Sequence, residues 1–266
     1  VLLVGLQPYL GRETSDIESA QTLRLKSAGK ALVLKDSAGL IHKSSEITIS
    51  WRQVPLSQAL PLGRQVAGPF ASFESAQRLA LRLRDIDIPV QIAHPQAWEV
   101  WVPQDAKVPN DIDFVAWNQT ITSEIKPVLQ GLSGQLLLSG PVKIEAPDGL
   151  KVNEGIFKGP FWLKPDAYGS WTLIEEVPLE RYLHGVVPYE IGSNAPIAAL
   201  AAQAVLARTW ALANSNRFAI DGYHLCSDTQ CQVYKDPSRA SDRVKNAISS
   251  TAGKYLAWDK KPIHAV

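Results

Sequence analysis

Along residues 46–51, Ile47, Ile49 and Trp51 share one face and polar side chains the other, the period-two pattern of a half-buried strand. Short apolar runs at 1–6 and 31–34 predict two more strands, with breaks at Gly29-Lys30, Ser37-Ala38-Gly39 and Ser44-Ser45. The same texture returns at 135–138, 142–145 and 171–174, punctuated by Gly140-Pro141 and Gly159-Pro160. Between these β stretches the pattern changes. Pro55, Pro61, Gly63, Gly68 and Pro69 open a segment with a short strand expected at 64–67. Residues 72–84 follow with Phe73, Ala76, Leu79, Ala80 and Leu83 on one helical stripe. Strands are predicted at 89–93 and 97–102, and a looser helix at 111–129. The order β-α-β-β-α-β describes a small split α+β unit over 51–139, inserted between the two β stretches.

From Pro178 the chain reads as helical. One short helix is expected at 179–187 and a long Ala- and Leu-rich helix at 197–213, with Pro196 suited to its first turn. A loop at 221–236, a helix at 241–251 and a strand pair at 255–258 and 263–266 complete the chain. The fold class is therefore α+β: a β-rich region plus a helical core formed by 1–50 and 140–266, interrupted by the 51–139 module.

Composition narrows the function classes. With 45% apolar and 20% charged residues, 266 positions can bury a sizeable core. A net charge of +1 leaves no broad basic field for nucleic acid, and no apolar run is long enough to span a bilayer. Methionine is absent even at position 1, which reads as a trimmed or mature chain, and any export signal has been removed or never existed. No dinucleotide fingerprint, phosphate-binding P-loop, His-Glu-x-x-His motif or nucleophile elbow occurs.

Three features carry chemistry. Glu190 follows Gly185-Val186-Val187-Pro188-Tyr189 and precedes Ile191. Apolar packing there would disfavour its charge and suit a general acid, whereas an ordinary helix carboxylate would face water. Arg208 is the one charged residue between Ile191 and Ala213. It either snorkels to solvent or finds a fixed anion, with Glu190 or a bound substrate the candidates. His224, Cys226 and Cys231 lie within eight positions. They admit a zinc site with an open fourth position, a Cys226–Cys231 disulfide, or free thiols. His42, His94 and His184 read as surface or packing residues, and His264 is undetermined.

Five motifs in order now become recognisable. They are Val177-Pro-Leu-Glu-Arg-Tyr-Leu-His-Gly-Val-Val-Pro-Tyr-Glu190, Ala199-Leu-Ala-Ala-Gln-Ala-Val-Leu-Ala-Arg208-Thr209, Cys231-Gln-Val-Tyr234, Thr251-Ala-Gly-Lys-Tyr-Leu256 and Lys261-Pro-Ile-His-Ala-Val266. Together they resemble the SpoIID/LytB family of stage II sporulation protein D-like enzymes and amidase enhancers. The resemblance is strongest over 170–266. It implies an extracytoplasmic, cell-envelope lytic transglycosylase that cuts peptidoglycan glycan strands stripped of their peptides and leaves 1,6-anhydro ends. On that likeness Glu190 is the acid/base, and Arg208, Gln203, Gln232 and Tyr234 contact substrate. Some members bind zinc near the cysteine loop, which maps to His224, Cys226 and Cys231. The enhancer branch implies the alternative, a non-catalytic glycan-binding partner of a cell-wall amidase. Gln230 stands where members often carry His, which weakens a zinc set, and the family continues past the last motif, so part of the site is expected beyond Val266. The insert, with Arg64-Gln-Val-Ala-Gly-Pro-Phe70 and the 76–83 helix stripe, is similar to SPOR domains, which bind the same peptide-free glycan. A decorative insertion without a ligand is the other reading of those core hydrophobics.

Overall fold

A computed structural model describes residues 1–12, 22–131, 134–152 and 154–264. The chain forms two compact units, Val1–Arg52 with Lys126–Asp166 and Ser170–Val266, and Gln53–Ile125 with Ala167–Gly169. The elements run β1 (Leu2–Leu10), β2 (Leu23–Ser27), β3 (Leu32–Lys35), β4 (Ile41–Ser44), β5 (Glu46–Phe70), α1 (Phe73–Arg84), β6 (Gln91–Ala93) and β7 (Trp98–Pro103). They continue with β8 (Val115–Gly131), β9 (Gly134–Leu137), β10 (Val142–Glu145), β11 (Leu150–Val152), β12 (Gly155–Phe157), β13 (Phe161–Pro165) and β14 (Trp171–Val177). Last come α2 (Leu179–His184), α3 (Val187–Ile191), α4 (Ile197–Ala213), β15 (Leu225–Cys226), α5 (Asp242–Ser250), β16 (Ala257–Trp258) and β17 (Lys261–Pro262). The fold is α+β.

In the larger unit, one sheet has the order β15-β1-β14-β13-β10-β3-β4. β1 is antiparallel to β14, with Leu2 opposite Val177 and Gly5 opposite Ile174, and parallel to β15. Strands from the start of the chain thus share a sheet with strands from 142 onward. A second set, β12-β11-β2 and the first part of β5, places Leu25 opposite Ile47. β2 alternates buried Leu23, Leu25 and Ser27 with exposed Arg24 and Lys26, as a strand with one wet face requires. The helices gather on α4, which packs against α2, α3 and α5. Its buried stripe is Leu200, Ala204, Ala207, Arg208 and Ala211, and the small alanines let neighbouring backbones come close. Ser241 caps α5 by accepting from the Val244 amide.

In the smaller unit, β5 pairs with β7, Val66 opposite Trp101, and β7 with β6. β8 also pairs with β5. Helix α1 is capped by Ser72 and buries Phe73, Ala76, Ala80 and Leu83. Phe73 meets Trp98 edge-to-face, with ring centroids 5.2 Å apart.

Four expectations need correction. Residues 111–129 are not a helix: β8 runs from Val115 to Gly131, with Ile121, Ser123 and Ile125 half-buried between exposed Thr122 and Glu124. The β-branched run Thr120-Ile121-Thr122 favours the strand. The unit therefore has one helix, in the order β-α-β-β-β. The proline-rich opening does not interrupt β5, which runs on through the exposed Pro55 and Pro61. The single helix expected at 179–187 is two, since α2 stops at Gly185 and α3 starts at Val187. The closing strand pair is shorter, 257–258 with 261–262, and Ala265 and Val266 of the last motif lie outside the described residues.

The central position of β14 gives a direct stability test. Leu173 on β14 is 0% exposed and Ile41 on the edge strand β4 is 66% exposed. Leu173→Ala is expected to cost about 2–5 kcal/mol through the cavity it leaves. Ile41→Ala should stay within about 0.5 kcal/mol of the parent. Paired denaturant titrations read both, and equal losses would contradict this assignment of the core.

Candidate functional site

The Gly185 turn places everything that follows. A Cβ at Gly185 would collide with the Lys235 carbonyl and the Tyr234 ring, so a side chain there would push the 234–235 segment away. The Lys235 amide donates to the Gly185 carbonyl at 3.0 Å. Helix α3 then carries Tyr189 and Glu190, both exposed, while Val187 and Pro188 turn inward. The apolar wall expected around the Glu190 carboxyl is absent, because on this short helix the inward positions belong to Val187 and Pro188.

Beneath the turn lies a buried polar network. Glu175 on β14 is 0% exposed. Its Oε1 accepts from the amides of Lys158 and Gly159 at 3.0 and 3.1 Å, and its Oε2 accepts from the Tyr234 hydroxyl at 2.8 Å. Burial outweighs these hydrogen bonds and pushes the carboxyl up from its ordinary value. The Tyr234 hydroxyl is pushed up too, by its own burial first and then by the Glu175 charge. The Tyr234 ring stacks on Tyr182, with centroids 4.9 Å apart, and the Tyr182 hydroxyl reaches Gln232 Oε1 at 3.4 Å.

Above this network opens a cleft of about 400 Å³. Leu6, Val152, Phe157 and Tyr234 give it apolar lining. Tyr189, Ser227, Glu154, Lys235, Asp236 and Arg239 supply polar and charged groups. Glu190 follows Tyr189 directly in the chain. Aromatic faces beside hydrogen-bonding groups can hold a sugar ring, whose C–H face is apolar and whose hydroxyls are polar.

Residues 167–258, which carry α2 through α5, match the family model described as SpoIID, stage II sporulation protein. The match covers about a third of the chain. The chain is also similar to an uncharacterised protein of Brachyspira hyodysenteriae, at 30% identity across 60% of this chain and 48% of that protein. Stage II sporulation protein D of Bacillus amyloliquefaciens is 39% identical, and that of Bacillus subtilis 35%, each across 35% of this chain and 31% of its own length. The chain spans less than half the length of each of these relatives.

Within the SpoIID stretch, Arg208 has a different partner from the one expected. Its Nε and Nη2 form a fork on Glu180, at 2.8 and 2.7 Å, and Nη1 donates to the carbonyls of Lys254 at 2.8 Å and Ala204 at 3.3 Å. At 1% exposure, it is a tie between α2, α4 and the Lys254 segment rather than a substrate contact, and it does not pair with Glu190. Gln203 is half-buried on α4 and does not line the cleft. Gln232 is turned into the Tyr182 network, and of the expected contacts Tyr234 alone lines the cleft.

Of the alternatives for the cysteines, the structure contains the Cys226–Cys231 disulfide. Paired sulfurs are not thiolates and make poor zinc ligands. His224 does not turn to them: its Nδ1 accepts from the Leu3 amide at 3.1 Å. Among the described residues no three His, Cys, Asp or Glu side chains gather as a metal set. The disulfide instead closes the loop that brings Ser227 to the cleft. Sequence reasoning missed Glu175, Glu180, Tyr189 and Lys235. Glu175 had a signal, since it shares strand parity with the buried Trp171, Leu173 and Val177.

The Arg208 fork predicts a pH signature. Its hydrogen bond holds the Glu180 carboxyl below the ordinary value of 4.5. A depressed folded-state value means the pair stabilises fully above pH 4.5 and loses that contribution as pH falls through the folded value. Arg208→Ala should cost about 3 kcal/mol at neutral pH, toward the low end for a broken buried pair because Glu180 can rehydrate. It should also flatten the acid side of the stability–pH curve, as followed by chemical denaturation. An unchanged acid limb would rule the pairing out.

Proposed function

We propose that this protein acts in the bacterial cell envelope as a peptidoglycan lytic transglycosylase, cutting peptide-free glycan strands. The observation that carries the reading is the placement of Glu190 in the matched SpoIID stretch. It is an exposed carboxylate one residue from Tyr189 of the cleft, on a helix held by the Gly185 contact.

The reaction suits a site with one carboxyl at the reacting bond. Glu190 donates a proton to the glycosidic oxygen as the bond to C1 breaks. It then accepts the proton of the sugar's own C6 hydroxyl, whose oxygen closes the 1,6-anhydro ring. No water is consumed, and the carboxyl ends in its starting state. A hydrolase would need a second carboxyl as nucleophile or base. Intramolecular attack replaces it, with effective molarities that reach roughly 10⁵–10⁸ M in well-oriented systems. Since Glu190 faces water in the free protein, the bound glycan itself must supply the water-excluding wall. That same exposure favours a second reading, a glycan-binding enhancer of a cell-wall amidase without cleavage of its own.

Glu190→Gln keeps shape and hydrogen bonding and removes the transferable proton. Strand cleavage should fall by about 10²–10⁴-fold while strand binding persists. Mass spectrometry of the wild-type products should show ends one water lighter than hydrolysed ends. Reducing ends would show water as the nucleophile and bring Asp228, Asp221 and cleft-lining Glu154 forward as the second carboxylate. Absence of cleavage, with stimulation of an added amidase, would establish the enhancer reading.

A further inference from the structure

We propose that Tyr189 and Lys235 form a two-part subsite that selects a pyranose bearing a carboxylate, the ring stacking on Tyr189 and the ammonium pairing the anion. The proposal rests on the glycan reading above and assigns specificity within it.

The cleft's charges sort themselves by what they already hold. Asp236 Oδ1 accepts from the amide and hydroxyl of Ser238, at 2.8 and 2.6 Å. Its Oδ2 lies 3.5 Å from Arg239 Nε, and Arg239 Nη2 donates to the Glu154 carbonyl at 3.1 Å. Those two groups hold the wall together. Lys235 makes no ion pair among the described residues, and its ammonium sits 5.4 Å from the centre of the Tyr189 ring. An ammonium at that range over an exposed ring is held weakly, so an anionic ligand can take it over. Its backbone is nonetheless fixed, because the Lys235 amide donates to the Gly185 carbonyl and the Lys235 carbonyl packs where a side chain at Gly185 would stand. Tyr189 is 38% exposed, which leaves part of its ring open to a ligand. Tyr234 cannot provide that surface: it is 3% exposed, stacked on Tyr182, with its hydroxyl given to Glu175. Glu154 also lines the cleft, and its negative charge makes a bare anion a poor occupant. The ligand must therefore bring both a stackable ring and a carboxylate.

The test uses the whole chain carrying Glu190→Gln, so that strands stay intact. Two probes are titrated, a neutral β-1,4-linked N-acetylglucosamine tetramer and a peptide-free tetramer alternating N-acetylglucosamine with N-acetylmuramic acid. Lys235→Gln should weaken the carboxylated probe about tenfold, the loss of one charged pair, and leave the neutral probe unchanged. It should also abolish the extra salt sensitivity of the carboxylated probe. Tyr189→Ala should weaken both probes about tenfold and Tyr189→Phe should restore them, since the ring and not the hydroxyl is used. A Lys235→Gln effect equal on the two probes, or no effect of Tyr189→Ala, overturns the subsite while leaving the glycan reading in place. Failure of the parent to bind either probe removes the glycan reading itself.

Discussion

A carboxylate shut away from water holds the cleft together. Glu175 stands on β14, between β1 and β13 in the sheet, and accepts hydrogen bonds from two backbone amides and one phenol. An isolated charge in that position would be strongly unfavourable, so those partners must stay where they are. The amides fix the 158–159 turn. The phenol fixes Tyr234, and through it the segment that carries Lys235 and Asp236 to the cleft. Sheet and cleft are thereby one construction.

A second buried charge does the same work for the helices. The Arg208 guanidinium joins α2, α4 and the Lys254 carbonyl, and α2 leads through Gly185 into α3. The orientation of Glu190 thus depends on a cation that does not touch it. The division of labour follows from exposure: the buried Glu175 and Arg208 hold elements in place, while Glu190 and Lys235 stay open to solvent.

Much of the fold was legible because periodicity reports burial directly. The 142–145 strand lies where its alternation places it, with Val142 and Ile144 buried, and the 197–213 helix lies where its Ala- and Leu-rich composition and Pro196 place it. The 111–129 segment failed for a physical reason. Its polar residues blurred the two periods, and pairing with β5, a partner distant in the chain, settled the strand. The prolines of β5 misled similarly, since the strand continues through both Pro55 and Pro61.

The candidate site divides along the same line. The sequence by itself determined the α+β class and the motifs that resemble the SpoIID family, Glu180 and Glu190 both among their residues, because motif and pattern are local. Only the tertiary structure decided that Glu190 is exposed, that Arg208 takes Glu180, that the cysteines are paired, and that Tyr189 and Lys235 share a cleft. Each of those depends on which distant groups reach a side chain first. A guanidinium or a carboxyl binds whatever partner the packing brings within about 3 Å, and the one-dimensional order of residues does not contain that distance.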